Sequence, residues 1–259
     1  MILPRVCAVS YLNTVPLVWG MLHGAQRGLF ALDFRIPSEC ADLLARGEAD
    51  IGIVPAVEVD RLGLSIIPGT GIACRGAVRS ILLFSKVPFD RIRTLAADSS
   101  SRTSVQLARI VLARRYGAEP RLFSHAPDLE RMLGVADAAL IIGDPALRLD
   151  PETIPYACLD LGAEWCDMTG YPMVFAVWAA RRGFDPSGLA GAFTASCRFG
   201  LEHIDDIAAQ ESGPRRMSPE LARDYFDKNV VLELGEREIQ GMRLFLEALH
   251  ALATVDLTA

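Results

Sequence analysis

The sequence predicts a two-lobed α/β fold made of two βαβαβ units, and three observations carry that prediction. Apolar strand-like runs alternate with amphipathic helical stretches through the first half of the chain, a pattern of parallel sheets with helices on both faces. The order of these elements repeats after about 87 residues. Two further β-rich stretches, one between the repeats and one after them, read as connectors that leave the first lobe and return to it.

The first unit opens with the strand R-V-C-A-V-S. Next comes A-V-S-Y-L-N-T-V-P-L at residues 8–17, where the apolar run stops at Ser10 and a helix over 14–28 begins. Thr14 is placed to cap that helix, and Pro16 suits its first turn, where a missing N–H costs nothing. Asn13 is a second polar side chain at a junction that does not need it. The strand D-F-R-I-P, the helix S-E-C-A-D-L-L-A-R-G-E and the strand A-D-I-G-I-V-P-A complete the unit, with a turn at Pro55. The outgoing connector is G-I-A-C-R-G-A-V-R-S-I-L-L-F-S-K-V-P.

The second unit runs R-T-L-A-A-D-S-S, a helix over 102–117, then P-R-L-F-S, the helix H-A-P-D-L-E-R-M-L-G, and A-D-A-A-L-I-I-G-D-P-A with its turn at Pro145. The chain returns through T-G-Y-P-M-V-F-A-V-W-A-A-R-R. Helices then cover 187–209, a stretch from Ser218 with the start signal Ser-Pro-Glu, and 236–252. In the last, Ile239, Met242, Phe245, Leu246 and Leu249 form a packing stripe. This tail is read as completing the first lobe. Lobe 1 is then 1–86 plus 175–259 and lobe 2 is 87–174, joined by two hinge strands.

Composition narrows the partners. A formal net charge of -6 argues against a nucleic-acid or anionic-membrane surface. The basic pairs Arg114-Arg115 and Arg215-Arg216 read as solvated helix faces. The longest apolar run, Met173 to Ala180, is too short to span a bilayer, and the N-terminus shows no basic leader before a long apolar stretch. A cytoplasmic protein is expected. Six cysteines occur singly without a C-x-x-C, so no metal centre is expected, and those in apolar company, such as Cys7, are expected to be small core residues. With no G-x-G-x-x-G, Walker, G-x-S-x-G or H-E-x-x-H motif, no cofactor is expected.

In open α/β sheets ligands gather at the carboxyl ends of strands. Those ends here are Ser10–Thr14 with Tyr11, Pro37-Ser38, Pro55, Asp98–Thr103, and Gly143–Asp144–Pro145. The run S-S-S-R-T-S at 99–104 sets Ser101, Arg102 and Thr103 at a helix N-terminus, which suits an anion by geometry and dipole. The plainer reading is an N-cap with spare serines. Ser80, in the outgoing connector, is a second anchor; Arg79 alternates to the other face and is either a second contact or a surface charge. Thr169 is a weaker binding candidate, beside Gly170 in the returning connector. Trp165 and Trp178 read as core, Glu39 as first-turn helix dressing, and His125 and His203 as structural.

The motifs S-Y-L-N-T-x-P-L, G-E-A-D-I-G-I-V-P, G-A-V-R-S-I-L-L-F-S-K, L-I-I-G-D-P-A-L and D-L-G-A-E-W-C-D-M-T-G-Y-P-M-V-F-A-V-W span nearly the whole chain. They resemble the chorismate dehydratase family of the futalosine route to menaquinone (MqnA). The resemblance implies a type 2 periplasmic-binding-protein-like fold without export. It also implies loss of water from chorismate, giving 3-[(1-carboxyvinyl)oxy]benzoate. Asn13 then has a role, because its amide suits holding the C4 hydroxyl that leaves. Ser10, Tyr11, Ser38, Pro55, Ser80, Ser101, Arg102, Thr103, Gly143, Asp144 and Thr169 become substrate-binding candidates.

Asp98 and Asp144 are carboxylates at strand ends, but each can equally cap the helix that follows. As a base, each meets a dianion with repulsion of roughly 4 kcal/mol per charge pair at about 4 Å. The substrate's own enolpyruvyl carboxylate is therefore the expected proton acceptor. Two other readings stay open. One is a non-catalytic binding protein for small carboxylates. The other is the sister enzyme 1,4-dihydroxy-6-naphthoate synthase, whose opening loop is S-P-C-P-N-D-T-like rather than S-Y-L-N-T.

Overall fold

The computed structural model describes residues 3–256, with side chains as far as residue 252. In chain order the elements begin with β1 (Arg5–Val9), a 3-10 turn (Leu12–Thr14), α1 (Val15–His23), β2 (Ala31–Arg35), α2 (Pro37–Ala45), β3 (Ile51–Pro55), α3 (Glu58–Leu62) and β4 (Ser65–Cys74). They continue with β5 (Ile81–Ser85), β6 (Thr94–Asp98), α4 (Thr103–Tyr116), β7 (Arg121–His125), α5 (Leu129–Val135), β8 (Ala138–Ile142), α6 (Gly143–Leu147), β9 (Ala157–Asp160) and α7 (Leu161–Thr169). The chain closes with β10 (Met173–Ala180), α8 (Ala190–Glu202), α9 (Ile204–Glu211), α10 (Pro219–Lys228), β11 (Val231–Glu233) and α11 (Glu236–Asp256).

Contacts divide the chain into two units: residues up to 73 with 174–235, and residues 74–173 with those from 236 onward. Each unit has its own sheet, ordered β11-β4-β10-β3-β1-β2 in the first and β7-β6-β8-β5-β9 in the second. The βαβαβ repeats form the parallel triplets β2-β1-β3 and β7-β6-β8, as their patterns predict. The connectors make the sheets mixed rather than parallel. β10 runs antiparallel to β3, with Trp178 opposite Ile53, and β5 runs antiparallel to both β8 and β9.

The division differs from the expected 1–86 plus 175–259 in two places. The outgoing connector splits in the 75–80 loop, so that β5 pairs inside the second sheet. The final helix α11 belongs to the second unit, where Phe245 meets Trp165 edge-on at 5.8 Å and Glu238 pairs with Arg75 at 2.9 Å. An apolar stripe announces that a helix packs, but not against which sheet.

Helix boundaries also shift. The first helix ends at His23 rather than near residue 28, and the stretch 187–209 is two helices broken at His203. The His203 ring stacks on Phe199 at 4.1 Å and its Nδ1 lies 2.7 Å from the Phe199 carbonyl, so this histidine is structural. In the first unit α1 lies against α8: Ser196 accepts from the Met21 N–H (3.1 Å) and donates to the Leu17 carbonyl (2.9 Å). A Cβ at Gly200 would overlap the carbonyl of Pro16, so glycine is what permits this approach. Cys7 and Cys40 are buried with their sulfurs 2.9 Å apart.

Asp50 locks one end of the first sheet. Its carboxylate accepts from the Arg5 backbone N–H (3.0 Å), the Arg5 guanidinium (2.9 and 3.1 Å) and Arg181 Nε (3.1 Å). The Arg5 hydrogen bond is the main reason its pKa falls to about 2. The folded pKa is depressed, so this contribution is present above about pH 4 and is lost as pH falls toward 2. Asp50→Asn is expected to lower stability by about 1–2 kcal/mol at pH 7, discounted because the Arg5 side chain is 45% exposed to solvent. Urea unfolding at pH 7 and pH 3 checks it: the gap between wild type and variant should narrow at the lower pH.

Candidate functional site

In the first unit the candidates gather at the carboxyl ends of β2, β1 and β3. The Ser10 N–H donates to the Arg35 carbonyl (2.9 Å), carrying the pairing of β1 and β2 one residue further. Tyr11 is extended (φ −77°, ψ 157°), and the chain then winds directly through the 3-10 turn into α1. Thr14 does not cap α1 as expected; it is already helical, and its hydroxyl lies 3.4 Å from Asn13 Oδ1. Asn13 is half-buried inside the turn, Ser38 sits in the first turn of α2, and Pro55 is the buried last residue of β3, opposite Ala176. Glu39 is exposed in that same turn of α2.

Arg215 also serves this loop. Its guanidinium donates to the Ser10 carbonyl (3.2 Å) and pairs with Glu211, so it is not the solvated helix charge its sequence neighbours suggest. Arg115 likewise pairs with Glu164 at 3.2 Å.

In the second unit the carboxyl ends of β6 and β8 share an edge with the amino end of β5. The Ser80 carbonyl accepts from the Gly143 N–H at 2.7 Å, and the Ser80 side chain is buried. Gly143 takes a left-handed φ of 63° as β8 turns into α6, and Asp144 follows, largely buried. Ser101 Oγ accepts from the Ser104 N–H (3.2 Å), so Ser101 supplies the cap of α4, whose first residues are Arg102 at the N-cap and Thr103. Thr103 is only 3% exposed, and its hydroxyl makes no hydrogen bond among the described residues. A buried hydroxyl without a partner is uncommon and costly, and here it stands at the positive end of a 14-residue helix.

Asp98 does not cap α4. Its Oδ1 accepts from the Ser100 N–H (2.9 Å) and Ser100 Oγ (2.7 Å), and its Oδ2 from the Ile142 N–H (3.2 Å), tying the ends of β6 and β8 together. Burial pushes its carboxyl above the usual range, and these hydrogen bonds pull it back only in part.

Arg79 is neither a strand residue nor a surface charge. It is left-handed (φ 63°) in the loop before β5, and its guanidinium donates to the carbonyls of Ala146 (3.2 Å) and Leu149 (2.5 Å). Thr169 lies in the last turn of α7, where its hydroxyl donates to the Trp165 carbonyl (2.8 Å) and accepts from the Tyr171 N–H (3.2 Å). Trp165 and Trp178 are fully buried.

Two sheets of this order, with polar loops at the carboxyl ends of their parallel strands, define an α/β protein of the periplasmic-binding-protein fold. Solved structures agree. A protein from Archaeoglobus fulgidus matches with a TM-score of 0.72 and 16% identity, over 96% of this chain and 97% of its own. The periplasmic aliphatic sulphonate binding protein of Escherichia coli matches with a TM-score of 0.66 and 13% identity, over 98% and 87%. A Candida albicans protein described as having the generic periplasmic binding protein structural fold gives 0.61 and 13%, over 98% and 92%.

Residues 4–251 match the family described as menaquinone biosynthesis, and the chain belongs to that family. The chorismate dehydratase of Thermus thermophilus is 32% identical over 260 residues, covering 92% of both chains.

Proposed function

We propose that the protein is a chorismate dehydratase, converting chorismate to 3-[(1-carboxyvinyl)oxy]benzoate and water in the futalosine route to menaquinone. The observation that carries this reading is the likeness to the Thermus enzyme along nearly the full length of both chains. Chorismate carries two carboxylates. The N-terminus of α4, with Ser101, Arg102 and the unsatisfied Thr103 hydroxyl, suits one of them, and Ser80 is the second anchor. Ser10, Tyr11, Ser38, Pro55, Gly143, Asp144 and Thr169 complete the proposed binding set; the Thr169 hydroxyl is already engaged within α7, which makes it the weakest member.

Asn13 holds the C4 hydroxyl. The enolpyruvyl carboxylate of the substrate takes the C3 proton, the C–H electrons become the new ring double bond, and the C4–O bond breaks. The departing hydroxide takes that proton from the enolpyruvyl carboxyl group, which returns to carboxylate, and leaves as water. Aromatisation makes this downhill, so the protein's task is to select one conformer and one path. Among the described residues no helix is long and apolar enough to cross a membrane, and the reading is of a cytoplasmic enzyme whose small-molecule partner is chorismate.

The first test is mass-resolved chromatography of chorismate incubated with the protein. A product lighter by one water supports the dehydratase. Unchanged chorismate despite tight binding supports a non-catalytic binding protein, and absence of binding directs the test to the naphthoate synthase substrate. Asp98→Asn and Asp144→Asn are each expected to keep kcat within about tenfold of wild type per folded molecule. A loss near 10⁴-fold with binding intact means a protein base.

A further inference from the structure

We infer that Asp160 is a positioning residue that sets the Ser80 anchor; the inference rests on the proposed role of Ser80. Asp160 ends β9 beside β5, opposite Leu82 and so two residues beyond Ser80 in register. Its carboxylate collects four backbone N–H groups. Oδ1 accepts from Gly162 (3.0 Å) and Ala163 (3.0 Å) at the start of α7, and from Val78 (2.9 Å); Oδ2 accepts from Arg79 (2.6 Å). One side chain thus caps a helix and holds the turn that delivers Ser80.

That turn is tight. The Ser80 N–H closes back on the Val78 carbonyl at 2.7 Å, and Arg79 between them is left-handed, a conformation a side chain resists. The carboxylate stabilises this conformation by binding the N–H groups of Val78 and Arg79 together. Arg79 and Ser80 then transmit the placement: the Arg79 guanidinium holds the carbonyls of Ala146 and Leu149, and the Ser80 carbonyl takes the Gly143 N–H. Asp160 therefore fixes Ser80 on one side and the Gly143–Asp144 turn on the other, without being placed against substrate itself.

The test separates capping from positioning. Asp160→Ser keeps an oxygen for the first N–H groups of α7, since serine caps helices well, but it withdraws the acceptors for Val78 and Arg79. In the full chain, kcat/KM for chorismate is expected to fall about 10- to 100-fold, with the melting temperature showing the variant folded under assay conditions. In a Ser80→Ala background the same substitution is expected to cost at least about threefold less in kcat/KM than in wild type, because the anchor is gone and only the Gly143–Asp144 turn is left to disturb. Should Asp160→Ser not fold, Asp160→Asn replaces it in the same cycle; it keeps Oδ1 and opposes only the Arg79 N–H. Equal losses in both backgrounds, or wild-type kcat/KM in the folded variant, overturn the inference. Ser80→Ala with wild-type kcat/KM is a different failure: it removes the anchor and, with it, both the reading of Ser80 and the inference.

Discussion

Asn13→Ala is expected to lower kcat for chorismate dehydration by about 10²- to 10³-fold, with KM within a few fold of wild type. The size follows from the chemistry assigned to it. As the C4–O bond breaks, negative charge grows on the departing oxygen, and an amide donor fixed by the protein stabilises that charge more than it stabilises the neutral hydroxyl. The position suits such a test because little else depends on it: Asn13 is half-buried, and the contact recorded for its side chain is a long 3.4 Å hydrogen bond from Thr14. The 3-10 turn is held by its backbone, through the Thr14 N–H on the Tyr11 carbonyl at 3.1 Å. Steady-state kinetics with mass-resolved product, alongside a thermal melt, measure it. A raised KM with unchanged kcat would mean that Asn13 meets a ground-state carboxylate, and unchanged kinetics would remove it from the mechanism.

The largest effect on stability is expected at Gly200. The first atom of any side chain there falls on the carbonyl of Pro16, in the first turn of α1, and backbone cannot step aside as a flexible side chain can. Gly200→Ala is expected to cost about 3 kcal/mol, a fall in melting temperature of about 6–12 °C. Because α1 directly follows the turn that carries Asn13, kcat/KM should also drop. Calorimetry with and without chorismate, together with steady-state kinetics, checks both parts. A melting temperature within about 2 °C of wild type would mean that α1 and α8 part easily.

Much of this was legible in the sequence, and the parts that were not share a cause. Periodicity located the βαβαβ repeats because each strand and helix there packs against its own neighbours in the chain. It did not assign β5 or α11, since their partners, β8 and β9 for one and the second unit's helices for the other, lie far along the chain. Among site residues, an N-cap among the serines before α4 and a turn after β8 followed from local rules, and the structure gives the cap to Ser101 and the left-handed residue to Gly143. Arg79 and Arg215 did not, because a charged side chain reads as solvated until the carbonyls it reaches are known. Asp160 was half visible: an aspartate before L-G-A-E is a helix-cap signal. Its second pair of partners, about 80 residues away, had no local trace.

The strand order of the first sheet also sets a timetable for synthesis. β10 separates β4 from β3, so a chain still emerging from the ribosome with β1 to β4 complete holds the pieces of a sheet that cannot yet join. Every strand of the other sheet lies between Ile81 and Asp160, and that sheet can close before β10 exists. At about 5–20 residues per second, the apolar β3 edge waits roughly 6–25 s for its partner. The amino-terminal segment is therefore the part of the newborn chain most in need of shelter, and the part where slow translation would do most harm.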